Sequence, residues 1–300
     1  MTATCRESTS LRWQSRLLVS IALPFCAFVA ADYAAKSWST STQTALLISV
    51  GFAGIVWLAR AATRVAAFTG GILTAVLALF PDTSGDKQWF YSGVPALVVL
   101  FLLTFAATRF GRRMKENLGV AENRSGRSAA QVVANLGMAG VSAALALAIS
   151  LARDRTLSTV SLREGGRLFS VNILCSVMVT AALAEATADT LSSEFGAVLG
   201  GEPVLVTTWR HVAPGTDGAV SAAGTIAGVL GALVVLLVAV LTLRLSLRAA
   251  LAAAVGAFAG LFFDSILGAT AERHGLLNND AVNFLSTAAA VGIALAAFLA

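Results

Sequence analysis

The chain has 300 residues, 57% hydrophobic and only 12% charged, with a net charge of +5 and a mean hydropathy of +0.80. Soluble domains carry about 25% charged residues, so this composition excludes an ordinary soluble globular protein. The long apolar runs point instead to an all-α polytopic membrane protein, and the basic balance is then the positive-inside bias of its loops rather than a sign of nucleic acid.

Residues 1–15 are polar and lead through Arg6, Arg12 and Arg16 into an apolar run ending near 35, read as a retained first helix rather than a signal peptide. Further helices are predicted near 43–59, 65–80, 89–110, 128–151, 168–191, 219–243, 247–270 and 281–300, about nine in all. With the N-terminus inside, thirteen Lys and Arg fall on the inner side and eight outside, which favours N-inside, C-outside. The outer loop 152–167, with four arginines, runs against it. This orientation gathers the basic loop 109–127, the loop 195–218 and the end of the helix carrying Asp264 on one side. Segment 200–218 is too short to span and is broken by Pro203, Pro214, Gly215 and Gly218. A re-entrant or irregular loop is expected near 197–218, because non-helical backbone at membrane depth survives only inside protein or beside a wet cavity. No repeat or linker divides the chain, so 1–300 is read as a single integral membrane domain.

Cys5, Cys26 and Cys175 are far apart and the two histidines are His211 and His274. They make neither a zinc pattern nor a disulfide framework. The acids are more informative. In 181–196 an apolar helix acquires Glu185, Asp189 and Glu194. Glu185 and Asp189, four apart, share one helix face with Ser192 beyond them. Glu194 leaves that face unless the helix breaks, which Gly196 allows. The alternative is a helix end emerging into water with ordinary surface acids. A second site is Gly256-x3-Gly260-x3-Asp264-x3-Gly268: the glycines argue for close helix packing, but a carboxylate on a packing face needs a cation, a donor network or a metal. Gln131 with Asn135, and Asn283 with Thr287, form polar i,i+4 pairs. Pro214-Gly215-Thr216-Asp217-Gly218 precedes a helix whose first face carries Ser221, Gly224, Thr225 and Gly228, a credible phosphate seat.

Carboxylates hold Mg2+ with substrate phosphates completing its shell, and cations with backbone amides neutralise a transferring phosphoryl group. No G-x4-G-K-[ST] is present, and Lys36, Lys87 and Lys115 lack that context, which excludes a P-loop kinase. G-x-S-x-G and H-E-x-x-H are absent as well.

Four ordered runs carry a resemblance: Gly126-Arg127…Gln131-Val132-x-Ala134-Asn135; Ala186-Thr187-Ala188-Asp189-Thr190-x2-Ser193-Glu194-x-Gly196; Val212-x-Pro214-Gly215-Thr216-x-Gly218-x-Val220-Ser221-x2-Gly224-Thr225; and Asp264-Ser265-x-Leu267-Gly268-Ala269-Thr270. Over roughly 65–300 the chain resembles the integral-membrane family of phytyl-phosphate kinase, domain of unknown function 92. Leu136, Leu191 and Ala219 depart from the family pattern where glycine, tryptophan and a second glycine are usual.

The resemblance implies a kinase that converts an isoprenyl monophosphate (phytyl, farnesyl or geranylgeranyl in type) to the diphosphate, with CTP or ATP as donor. On that reading Asp189, Glu194 and Asp264 hold Mg2+ with help from Glu185, and Asn135 orients phosphate or metal. Pro214, Gly215, Thr216, Gly218, Ser221 and Thr225 cradle nucleotide phosphates, with Gln131 and Thr187 nearby. Arg112, Arg113, Lys115 and Arg127 offset the transferring charge. The setting would be a bacterial inner membrane with the site on the cytoplasmic side, and a homodimer is left open. Two alternatives stand beside it: a carrier for a lipid phosphate or small anion, whose broken helices and midplane charges would fit, and a CTP-dependent cytidylyltransferase-like enzyme.

Overall fold

Side-chain caps set the starts of many of the helices. Ser39, Thr63, Ser221, Ser246 and Asn278 each accept the backbone N–H three residues on, satisfying one of the donors that a helix N-terminus leaves free. The computed structural model describes residues 11–80, 89–123, 125–153, 161–164 and 167–300. Cys5, Arg6, Lys87, Arg124 and most of the arginine-rich loop 152–167 lie outside the described residues.

In chain order the helices are α1 (Arg12–Lys36), α2 (Thr40–Leu58), α3 (Arg64–Leu79), α4 (Val94–Arg109), α5 (Arg112–Leu118) and α6 (Ala129–Arg153). They continue with α7 (Val171–Leu199), α8 (Ala222–Thr242), α9 (Leu247–Leu267), a π-helical turn (Gly268–Glu272) and α10 (Asn279–Leu299). Two short antiparallel pairs complete it: β1 (Ser161–Glu164) with β2 (Arg167–Ser170), and β3 (Val204–Leu205) with β4 (Ala219–Val220).

The nine apolar runs all appear as helices. Among the described residues seven are long and apolar enough to cross a membrane unaided. An eighth span needs α4 and α5 together, a pair bent by 66°, and α3 is shorter, at 16 residues. The bend falls at Gly111, whose φ is +61°. Glycine adopts that left-handed conformation without penalty, and a Cβ there would also lie 2.5 Å from Val198.

The irregular loop expected near 197–218 is present: after α7 the chain runs as turns and bridges to Ser221, with only the two-residue strands β3 and β4 paired across it. A further break lies at 110–111, between α4 and α5. The break that Gly196 allows is not taken; α7 runs unbroken to Leu199. Gly196 has a packing role, its α-carbon lying close to Ser221 and Gly224.

α7 is the axis of the molecule. It packs against α4, α6, α8, α9 and α10, and nearly every side chain from Val171 to Leu191 is buried. A helix hydrophobic all round belongs in such a position. Small residues let the neighbours approach. On α8, Gly224 and Gly228 lie over the carbonyls of Ser192 and Ala188, and Gly231 over Leu191. On α9, Gly256 faces the Ala290 carbonyl and Gly260 faces Glu185. In lipid, where apolar surface gives helices no reason to associate, such backbone contact supplies the adhesion.

A Cβ at position 228 would stand 2.6 Å from the Ala188 carbonyl oxygen, whereas one at position 54 meets nothing within 4 Å. Gly228→Leu should therefore lower stability by about 1–3 kcal/mol or more, read as a fall in thermal midpoint in detergent. Gly54→Leu should leave the midpoint unchanged. Equal midpoints for both variants would contradict this packing.

Candidate functional site

The end of α7 carries its acids into one polar cavity of about 350 Å³, within the range of small-molecule sites. Five stretches far apart in sequence close around it: the 115–135 region, the last turns of α7, the 203–221 segment, the end of α9 with its π-helical turn, and the start of α10. The three inner-side stretches expected to share a face do meet here.

Of the sequence-derived site residues, Lys115, Arg127, Gln131, Asn135, Asp189 and Glu194 line the cavity. So do Pro214, Gly215, Thr216, Gly218, Ser221 and Asp264. Arg112 borders a neighbouring apolar cavity, and Arg113 is exposed outside both. Glu185 is 1% exposed, one turn behind Asp189, and does not reach the cavity. Thr187 is buried against α8, its hydroxyl donating to the Leu183 carbonyl at 2.8 Å. Thr225 lies on the first turn of α8 but does not line the cavity.

The carboxyl groups of Asp189 and Asp264 interact directly, with Glu185 behind them and the Ser286 hydroxyl beside Glu185 and Asp264. Both oxygens of Glu185 and the Oδ2 of Asp264 are buried with no hydrogen-bond partner. Such groups are costly in a protein interior. Among the described residues no three acidic, histidine or cysteine side chains converge tightly enough to hold an ion by themselves. Mg2+, however, often takes only one or two carboxylates and completes its shell with phosphate oxygens and water. The Asp189–Asp264 pair, with its unpartnered oxygen, fits an ion of that kind and not a closed protein cage.

Several expected ligands already have protein partners. Lys115 is 1% exposed. Its ammonium donates to Glu194 at 2.5 Å and to the carbonyls of Ala107 and Thr108 at 2.9 and 3.2 Å. Those three bonds use all its donors, so Lys115 fixes Glu194 and ties α5 to α7. Gln131 and Ser128 form a capping box: the Gln131 N–H donates to the Ser128 hydroxyl at 3.2 Å and the Ser128 N–H to Gln131 Oε1 at 2.7 Å. Ser221 is the N-cap of α8, accepting from Gly224 N–H at 3.1 Å. Asn135 donates to the Gln131 carbonyl at 2.8 Å, leaving its carbonyl oxygen at the cavity.

Arg127 is set by its backbone. Its N–H donates to the Ala61 carbonyl at 2.9 Å and its carbonyl accepts from Thr63 N–H at 3.1 Å, making a parallel bridge between Ala62 and Arg127. Gly126 permits this: its φ is +80° and a Cβ would lie 2.5 Å from the Ala61 backbone. The α2–α3 junction thus anchors the guanidinium at the cavity, where Glu122 approaches it at 4.0 Å.

The glycine-rich turn is held by contacts as well as by conformation. A Cβ at Gly218 would overlap Ala269 in the π-helical turn, and one at Gly215 would overlap Val120. The N–H groups of Gly215, Asp217 and Gly218 donate to no backbone acceptor among the described residues, the property a phosphate seat requires. Sequence reasoning missed Glu122, Glu272, Asn279 and Asn283 as part of this wall. A π-turn is a frequent mark of a functional position, but no local sequence signal announces one at 268–272.

A family model described as integral membrane protein DUF92 matches residues 47–291. The chain belongs to the DUF92 family of integral membrane proteins. It is 43% identical over 105 residues to an uncharacterized membrane protein of Methanocaldococcus jannaschii, a match covering 35% of this chain and 44% of that one. An uncharacterized membrane protein of Synechocystis is 30% identical over 208 residues, covering 68% and 74% of the two chains. Protein VTE6, chloroplastic, of Arabidopsis thaliana is 30% identical over 194 residues, covering 64% of this chain and 50% of its own length. The match therefore spans about half or less of the archaeal and plant relatives. No solved structure matches the chain. The DUF92 model takes in α2 onward through most of α10, and with them every residue that lines the polar cavity.

Lys115→Met would leave Glu194 without its partner. Breaking a mostly buried ion pair from one side costs about 3–5 kcal/mol. The thermal midpoint should fall markedly, and Lys115→Met combined with Glu194→Leu should recover most of the loss. A double variant as unstable as the single one would show that the pair does not act as a unit.

Proposed function

We propose that the protein is a membrane-embedded isoprenyl monophosphate kinase. The observation that carries this reading is the convergence, on one polar cavity, of all four sequence runs that resemble the phytyl-phosphate kinases. Membership of DUF92 and the relation to VTE6 support it.

In the proposed reaction an oxygen of the prenyl phosphate attacks the γ-phosphorus of a nucleoside triphosphate, CTP or ATP. The new P–O–P bond forms as the bond to the β-phosphate oxygen breaks, and a nucleoside diphosphate leaves. The acceptor is already an anion, so no strong general base is required, in keeping with a cavity lined by no histidine. Catalysis then rests on position and charge. Asp189 and Asp264 would hold Mg2+, with Glu194 nearby on its lysine. The ion would neutralise the triphosphate and fix its geometry. The amides of the 214–218 turn would receive the nucleotide phosphates, Arg127 would face the charge that builds during transfer, and Asn135 would orient the acceptor phosphate. The proposal sets this side of the molecule in the cytoplasm, at a bacterial inner membrane; the positive-inside excess of arginines supports the cytoplasmic side.

One observation favours a second reading. The 66° bend between α4 and α5 and the π-turn after α9 are interruptions of the sort that carriers use around a bound ion or anion. Movement of a lipid phosphate across sealed vesicles without turnover would support a carrier. A nucleotidyl-lipid product, told by its mass, would support a cytidylyltransferase.

Asp189→Asn and Asp264→Asn keep shape and lose charge. Each should lower the initial rate of phosphoryl transfer from labelled triphosphate to prenyl phosphate by about a hundredfold or more, with the protein still folded in detergent. Near-normal rates with unchanged Mg2+ dependence in both would remove the metal site from the proposal.

A further inference from the structure

A second cavity, of about 330 Å³, opens between α2, α3, α4 and the start of α6. Its wall differs in kind from that of the polar cavity. Phe52, Leu97, Leu100, Phe101, Phe105 and Leu136 give it a largely apolar surface. Phe101 stands edge-on to Phe52 at 5.4 Å and tilted against Phe105 at 5.3 Å. Leu97 and Thr108 both line it, eleven residues apart on α4, so it runs about 16 Å along that helix.

Only one end is charged. Among the described residues Arg60, Arg109, Arg112 and Arg127 reach it, against the single acid Glu122. Arg109 is held by the Ala59 carbonyl at 3.0 Å and lies 3.5 Å from the centre of the Phe105 ring. The Arg112 guanidinium donates to Glu116 and to the Glu122 carbonyl. This basic end abuts the polar cavity, for Glu122, Arg127 and Asn135 line both.

A soluble anion gains nothing from an aromatic wall, and an uncharged lipid gains nothing from four guanidinium groups. An amphiphile with an anionic head and one apolar tail satisfies both ends. We propose that this cavity holds the tail of the lipid substrate, with its phosphate passing Arg127 and Asn135 into the polar cavity. The identity of the head group's reaction rests on the kinase reading; the seat for the tail rests on this geometry. Gly70 keeps part of this space open. It lines the cavity, and a Cβ there meets nothing within 4 Å, whereas one at neighbouring Gly71 touches Ala53 and Ser49. A side chain at position 70 therefore grows into the tail space without disturbing the helices.

The test measures equilibrium binding of geranylgeranyl phosphate and of dimethylallyl phosphate to the purified full-length protein. Gly70→Phe should weaken the long-tailed compound by about tenfold or more and the short one by less than about threefold, since only the long tail loses buried surface. Gly54→Phe, on the facing helix but off the cavity, should change neither affinity. If Gly70→Phe does not yield folded protein, Phe101→Ala should likewise penalise the long tail selectively. Equal effects on both compounds, or none, would overturn the proposal. So would displacement of geranylgeranyl phosphate by dioleoyl phosphatidic acid at matched concentration, which would make the cavity a seat for bulk phospholipid. Selective loss of long-tail binding without phosphoryl transfer to any compound tested would keep the tail seat and remove the kinase reading. Transfer that occurs while binding ignores Gly70→Phe would do the reverse.

Discussion

The structure depends on the enclosure of α7. A helix that packs on α4, α6, α8, α9 and α10 has no face left for water or lipid along most of its length. Its carboxylates must then be answered from within the protein or by something the protein binds. Glu194 is answered by Lys115. Asp189 has the Arg127 guanidinium within electrostatic reach, but it also meets a second acid, Asp264, brought in by the glycine face of α9. Two carboxylates pressed together in a low-dielectric setting repel unless a cation joins them. The packing that makes α7 the core therefore also creates the demand for positive charge at its end.

That demand organises the surroundings. The α2–α3 junction fixes Arg127 by backbone hydrogen bonds, not by side-chain contacts alone. The 214–218 turn rests on the π-helical turn through Gly218 and Ala269. Movement of α9 would thus shift Asp264 and the amides of the 214–218 turn together. The bend at Gly111 lets α5 turn back so that Lys115 reaches α7. These links tie cations, acids and amides to helices of membrane-spanning length, the rigidity that the proposed phosphoryl transfer would require.

Much of this was legible in the chain. Apolar runs near the length of a bilayer reveal helices wherever they occur, and all nine apolar runs fold as helices. The spacing of Gly256, Gly260 and Asp264 announced a packed face bearing an acid, and the structure gives that face a neighbour in α10. What stayed hidden was long-range. Lys115 and Glu194 are 79 residues apart, and nothing local distinguishes Lys115 from a solvated loop cation. Gln131 lines the cavity, and Ser128-x-x-Gln131 is also a capping box visible in the sequence. Gly196 left a helix break open in the sequence; beside α8 its lack of a side chain instead permits contact. Glu272 joins the wall only because the backbone takes a π-turn there, which no local sequence pattern announced.

The central claim is that the Asp189–Asp264 pair brings a divalent ion, a nucleoside triphosphate and a lipid phosphate into one cavity. Electron–nuclear double resonance on the wild-type protein with Mn2+, a non-hydrolysable triphosphate and a prenyl monophosphate tests it most directly. Phosphorus couplings from both the nucleotide and the lipid to a single bound Mn2+ are expected. Mn2+ that binds with neither coupling, or that binds only away from the protein-bound lipid, would contradict it.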